Sequence, residues 1–201
     1  MKLSTILDDI RGIHRYATAD DIRNVFGDYH NVLHWLADFL IGDEKLAEAC
    51  MVDACAIALT QGPTFHEWLV HWAARATVRC ALQRQRAQIA ELAPVYEKNE
   101  PIIEKLPPLS AEYFQLLVTN FEVIRARLDV LCRFVLVYRG IAKDSCDAVA
   151  AELGISPDAV DRAYNVALDA LELPERSAIT IRKVQPHGHI YHESVLAASI
   201  D

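Results

Sequence analysis

Residues 144–171 read DSCDAVAAELGISPDAVDRAYNVALDAL, and this stretch decides the fold. It specifies two helices joined by a tight turn. The first runs roughly from Ser145 to Leu153. Gly154 stands where a chain leaves a helix with positive φ. Ile155 is the apolar plug of the turn. Ser156 is an N-cap, and Pro157 takes the first helical position, where its missing N–H costs nothing. Val149, Leu153, Ile155, Val160, Tyr164 and Leu168 recur at helical spacing and form a shared apolar seam. This is a helix-turn-helix pattern, whose second helix is the one offered to a DNA major groove.

The polar surface of that second helix is acidic. A groove-reading helix carries Arg, Lys, Asn or Gln outward, in a positive surround for phosphates. Here the outward readers are Arg162 and Asn165. From Lys143 to Glu172 the basic residues are Lys143 and Arg162, against Asp144, Asp147, Glu152, Asp158, Asp161, Asp169 and Glu172. Repulsion from phosphates reaches about 8–10 Å at physiological salt. The fold signal is strong and the DNA signal weak.

Working outward, 201 residues allow one or two small domains, and an apolar fraction of 52% marks a globular chain. A net charge of −8 excludes a protein coated in positive charge for general nucleic-acid binding. No apolar run reaches the roughly 18 residues that span a bilayer. The N-terminal MKLSTILDDIRGIHRY sets acids inside any apolar leader segment, so no signal peptide and no membrane partner are expected. Cys50, Cys55, Cys80, Cys132 and Cys146 form no CxxC pair and sit in helical apolar patterns. Buried, reduced thiols in a cytoplasmic protein are the expectation.

In chain order, a short helix over Leu3–Tyr16 is expected to precede a helix from Thr18 to Ile41, with Asp20 and Asp21 at its positive end. A helix rich in Ala and Cys follows from Glu44 to about Leu59. Thr64 is the expected cap of a third helix, with Glu67 as its capping-box partner. There Phe65, Trp68, Leu69, Trp72, Ala76, Cys80 and Leu82 are expected to face inward. Arg75, Arg79, Arg84 and Arg86 face outward, the one concentrated basic surface in the sequence. It reads either as a solvated face balanced by neighbouring acids or as a nucleic-acid-facing helix. Residues 91–110 carry four prolines in ELAPVYEKNEPIIEKLPPLS and read as a linker. Ser110 caps a helix from Ala111 to about Arg127, and another stretch runs to Arg139 and ends at Gly140. Alternation over 178–195 suits a short β-hairpin or an extended tail.

The order of these motifs resembles a bacterial sigma factor of the small, extracytoplasmic-function (ECF) type. The likeness runs from about residue 22 to 173. Its first part rests on Phe26 and Tyr29, Gly42-Asp43 followed by Ala47-Glu48, and Trp68-Leu69 with the basic helix Ala73–Arg86. Its second part rests on Leu128, Arg133 and Val135, then Ala148-Val149-Ala150, Leu153-Gly154-Ile155-Ser156, Val160 and Ala167. The resemblance implies an all-α chain with a region two-like helical bundle over 1–90, a Pro-rich linker over 91–110 and a region four-like helix-turn-helix domain over 111–175. A C-terminal extension occupies 176–201.

The resemblance also implies partners: RNA polymerase core, promoter DNA, and an anti-sigma factor or other regulator. Glu48, Ala49, Val52 and Asp53 would meet polymerase. Trp72, Arg75, Arg79, Arg84 and Arg86 would face the melted promoter, and Arg162 and Asn165 the upstream element. The family's acidic-Leu-Val-Gln grip on the polymerase clamp corresponds here to Ala49, Cys50, Met51 and Val52. Its basic recognition helix corresponds to Ala159–Ala167. An apolar scaffold is kept while the polar working face differs. A divergent sigma factor is therefore one reading. The other is a sigma-like interaction module (a mimic, an adaptor or an anti-sigma target) without polymerase or DNA contacts.

Enzymatic chemistry finds little footing. His30 and His34 have metal-ligand spacing, but only Asp28 and Asp38 offer themselves as a third ligand, so a surface pair is the plainer reading. His187, His189 and His192 read as a polar turn or a loose metal site. Glu67 and His71 share a helix face without any sign of a pocket. No nucleophile elbow, phosphate loop or paired-carboxylate signature occurs. No catalytic residue, resident metal or cofactor is expected.

Overall fold

The computed structural model describes residues 15–61, 64–97, 115 and 117–177, excepting the side chains of 172–177. Across these residues the chain is all-α, with no strand. The chain divides after Arg84 into two compact units. No helix among the described residues is long and apolar enough to cross a membrane.

In the first unit, α1 (Ala19–Asp28) opens on a capping box. The Asp21 N–H donates to the Thr18 hydroxyl, and the Thr18 N–H returns a bond to the Asp21 carboxylate at 2.9 Å. The single helix expected from Thr18 to Ile41 is in fact two. It breaks at Tyr29, just after the poor helix formers Gly27 and Asp28, and α2 (His30–Ile41) starts afresh. Gly42, at φ 78°, ends α2 in the left-handed region, and the Asp43 carboxylate caps α3 (Glu44–Thr60). Leu33, Leu36, Phe39 and Leu40 from α2 are buried, as are Ala47, Cys50, Met51, Ala54 and Ala58 from α3. The small residues of α3 let α2 pack closely on it.

The expected capping box of Thr64 and Glu67 does not form. The Thr64 carbonyl instead accepts the Ala17 N–H at 2.8 Å, and the His66 N–H donates to the Arg15 carbonyl at 2.9 Å. Tyr16 and Phe65 thereby pair as an isolated antiparallel bridge. Arg15 and Tyr16, expected at the end of a helix, are thus not helical, and residues 3–14 of that expected helix lie outside the described residues. A 3-10 turn (His66–Trp68) then leads into α4 (Leu69–Tyr96). This helix runs on past residue 90 into the expected linker, with Pro94 in its last turn.

The second unit contains the end of α4, then α5 (Phe121–Arg127), α6 (Val130–Val135), a π-helical segment (Leu136–Ile141), α7 (Cys146–Leu153) and α8 (Pro157–Ser177). The expected helix Ala111–Arg127 is interrupted at Asn120. Its cap Ser110 and the 178–195 hairpin lie outside the described residues. The Asp129 carboxylate caps α6 through the Cys132 N–H at 2.8 Å. Phe134, Leu131, Leu136, Val149, Leu153, Val160, Tyr164 and Leu171 fill the core, with α8 packed on α6 and α7.

The turn between α7 and α8 follows its sequence. The Ser145 hydroxyl accepts the Ala148 N–H, and Gly154 takes φ 73°. The N–H groups of Gly154 and Ile155 both donate to the Ala150 carbonyl, and the Ser156 hydroxyl accepts the Ala159 N–H. Each bond satisfies a backbone or cap group that a helix end leaves over. The π-helical segment was not expected. It carries Arg139 to the Asp144 carbonyl at 3.2 Å and over the Tyr164 ring at 5.6 Å, with the Asp161 carboxylate 3.9 Å away. Lys143, at φ 56°, closes the segment in the left-handed region.

Candidate functional site

Two surfaces of the first unit collect most of the residues singled out in the sequence. The first is the outward face of α3. Because that helix buries Ala47, Cys50, Met51, Ala54 and Ala58, geometry turns Glu48, Ala49, Val52 and Asp53 to solvent together. Of the run Ala49–Val52, Cys50 and Met51 are therefore core residues. Burial and the adjacent Cys80 thiol push the Cys50 thiol up, and its Sγ–H points at the Thr77 carbonyl. Leu46 is exposed beside this face at 48% and Val52 at 63%. Solvent-facing Leu46, Ala49, Val52 and Ala56 make an apolar stripe along the helix, flanked by the carboxylates of Glu48 and Asp53.

The second surface lies on α4. Arg75 and Arg79 are exposed, and Arg86, farther along the helix beyond the unit boundary, is exposed as well. Arg84 has a different role. Its guanidinium pairs with the Asp53 carboxylate of α3 and also meets the Cys80 thiol, contacts that hold it protonated even more firmly than usual. The expected DNA contact Arg84 and polymerase contact Asp53 are thus each other's partners. Trp72 is half-buried, and its indole N–H finds no acceptor among the described residues.

Trp68 is a correction. Expected inward, it is 59% exposed, because the 3-10 turn rotates it off the inward face of α4. Its ring meets Phe65 edge-on at 5.7 Å, and Phe65 stacks on Tyr16 at 4.9 Å. This aromatic cluster escaped the sequence reading, because the bridge between Tyr16 and Phe65 joins segments far apart in the chain.

In the second unit, Arg162 and Asn165 are both half-buried. Arg162, expected to point outward toward DNA, donates from Nη1 to the Tyr96 carbonyl at 2.6 Å. That carbonyl ends α4, where unpaired carbonyls carry the negative end of the helix dipole. A guanidinium there answers a local need of the fold. Close by, the Tyr96 hydroxyl bonds the Asp129 carboxylate at 2.5 Å and contacts the Cys132 sulfur at 3.1 Å. Burial and the Asp129 carboxylate push the Tyr96 phenol well above its ordinary range.

Chemically, these surfaces offer apolar and acidic protein contact on α3 and cationic and aromatic contact on α4. Comparison of the chain with protein-family models, with curated proteins and with solved structures finds no match.

Proposed function

We propose that this chain is a divergent sigma-factor-like transcription regulator of the ECF kind. It docks on RNA polymerase core through the outward face of α3 and offers promoter DNA the exposed arginines of α4. The observation that carries this reading is the exposed Leu46–Ala49–Val52 stripe with Glu48 and Asp53 beside it. Apolar side chains held outward on a rigid helix, rimmed by charge, are the composition of a protein-docking surface. They also fall where the resemblance places the polymerase grip. The exposure of Arg75, Arg79 and Arg86 supports the DNA contact, as do the π-faces of Trp68 and Tyr16 for unstacked bases. The turn at Gly154–Ser156 supports a helix-turn-helix region in the second unit.

A specific observation favours a second reading. Arg162 is engaged with the Tyr96 carbonyl, and α8 carries five acidic residues against Arg162 and Arg176, which suits a sigma-like interaction module that no longer reads an upstream element. Transcription reconstituted with core polymerase separates the two. A sigma factor initiates from its promoter, and charge reversal of Arg75, Arg79 and Arg86 abolishes open-complex formation while core binding persists. An interaction module binds its protein partner with no initiation and no steep salt dependence on DNA.

A further inference from the structure

Two thiols meet where α3 packs on α4, within the first unit. Cys50 of α3 is fully buried, and Cys80 of α4 is 3% exposed. Cys50 Sγ lies 3.7 Å from the Thr77 carbonyl, one turn before Cys80. One turn farther along both helices, the Asp53 carboxylate pairs with the Arg84 guanidinium. These two contacts fix the register of the helices, and the Cys80 sulfur falls between them, against the Cys50 sulfur. Ala47 and Ala54 stand on the Cys50 face of α3, and Ala73 and Ala76 on the Cys80 face of α4; all four are buried. Small side chains on both faces let the backbones approach closely, which a disulfide requires. Arg84, itself partly exposed, also meets the Cys80 sulfur, so a fixed positive charge stands beside that thiol at the solvent edge of the contact.

We propose that Cys50 and Cys80 are an oxidation site for a peroxide, a thiol pair that closes to a disulfide and pins α3 to α4. The charge of Arg84 makes Cys80 the attacking sulfur, because it opposes the negative charge that develops there. Cys80 gives up its proton and attacks one peroxide oxygen. The O–O bond breaks, the departing oxygen leaves with that proton as water, and Cys80 is left as the sulfenic acid. Cys50, kept as the thiol by burial and by the adjacent Cys80, then attacks the Cys80 sulfur. The S–O bond breaks, and the hydroxide leaves with the Cys50 proton as a second water. Two thiols and one hydrogen peroxide thus become one disulfide and two waters, both electrons passing from sulfur to peroxide. Cys132 faces the Tyr96 hydroxyl and Cys146 the Pro157 carbonyl, which makes them controls within the same chain. The disulfide lies on the inward side of α3 and leaves the outward stripe chemically unchanged.

The test treats the reduced, folded full chain with hydrogen peroxide, blocks the remaining thiols by alkylation, and maps its tryptic peptides by mass spectrometry without reduction. Cys55→Ser leaves Cys50 as the only cysteine of the fragment 46–75, while the fragment 80–84 carries Cys80. These two fragments are expected as one species, lighter by two hydrogens than their sum and separated again by dithiothreitol. The oxidised chain melts about 5 °C or more above the reduced one, since the cross-link restricts the unfolded state. In Cys50→Ala the sulfenic acid on Cys80 persists and is trapped by dimedone, whereas in Cys80→Ala the Cys50 thiol stays free. The proposal is overturned if Cys50 and Cys80 both remain free thiols in the treated parent, if either pairs with another cysteine instead, or if the link forms only after unfolding in urea. The decisive mapping is made on the parent and on Cys55→Ser, and the melting curve of the untreated Cys55→Ser chain checks its fold.

Discussion

Replacing Arg162 with Ala distinguishes a structural side chain from a DNA reader. The guanidinium bonds the Tyr96 carbonyl at 2.6 Å, at the C-terminal end of α4. A charge-assisted hydrogen bond contributes about 1.5–3 kcal/mol, and a cation at a helix C-terminus about 0.3–1 kcal/mol. Because Arg162 is only half-buried, the lower part of the combined range applies, about 2 kcal/mol. In a chain of 201 residues that lowers the melting temperature by about 4–8 °C, or the urea midpoint by about 1 M at unchanged slope. Arg162→Lys keeps the charge but loses the planar fork, and recovers about half of the loss. The assay is urea unfolding followed by circular dichroism, beside DNA binding measured at two salt concentrations. An unchanged midpoint together with a salt-sensitive loss of DNA affinity would show that Arg162 faces outward, and would refute the assignment.

Other perturbations have defined signs. Gly154→Ala places a Cβ in open space but at φ 73°, so it destabilises by about 1 kcal/mol through backbone strain alone, read from the same urea titration. Gly27→Ala also meets nothing, at an ordinary helical position in α1, and stabilises by about 0.5–1 kcal/mol. Tyr96→Phe removes the hydroxyl that bonds Asp129 and costs about 1.5–3 kcal/mol, while Asp129 still caps α6; loss of the α6 cap signal in amide exchange would contradict this. Asp21 is held at about 2, below its ordinary 3.8, by the Thr18 N–H, the Thr18 hydroxyl and Arg15. A depressed carboxyl stabilises the fold above its unfolded value, and the contribution is lost as pH falls from about 4 toward 2. Thermal unfolding of Asp21→Asn therefore depends less on pH than the parent across that window.

How much was legible in the sequence follows from the range of the forces involved. The α7–α8 turn was readable because Ser145, Gly154, Ser156 and Pro157 each act on backbone groups within a few residues. The end of α2 at Ile41 and the start of α3 at Glu44 belong to the same class. The expected capping box of Thr64 does not form because a distant strand-like pairing, Ala17 to Thr64 and Tyr16 to Phe65, competes for that backbone. Trp68 went outward for the same reason. The stripe on α3 was hidden because the helix is apolar on both faces, so periodicity offers no contrast between Cys50 and Val52. The inward turn of Arg162 needs the end of α4 beside α8, and the pairing of Arg84 with Asp53 needs α3 beside α4. Neither is written in local spacing.

The most direct test of the docking surface is the affinity of the full chain for core RNA polymerase, measured for the parent and for Val52→Glu. Val52 is 63% exposed, so the substitution leaves the fold intact, which its melting temperature checks. The account predicts saturable binding by the parent and a loss of at least about tenfold in Val52→Glu, the effect of a charge buried at a docking centre. No binding to core at low salt, or equal binding by both proteins, would contradict it.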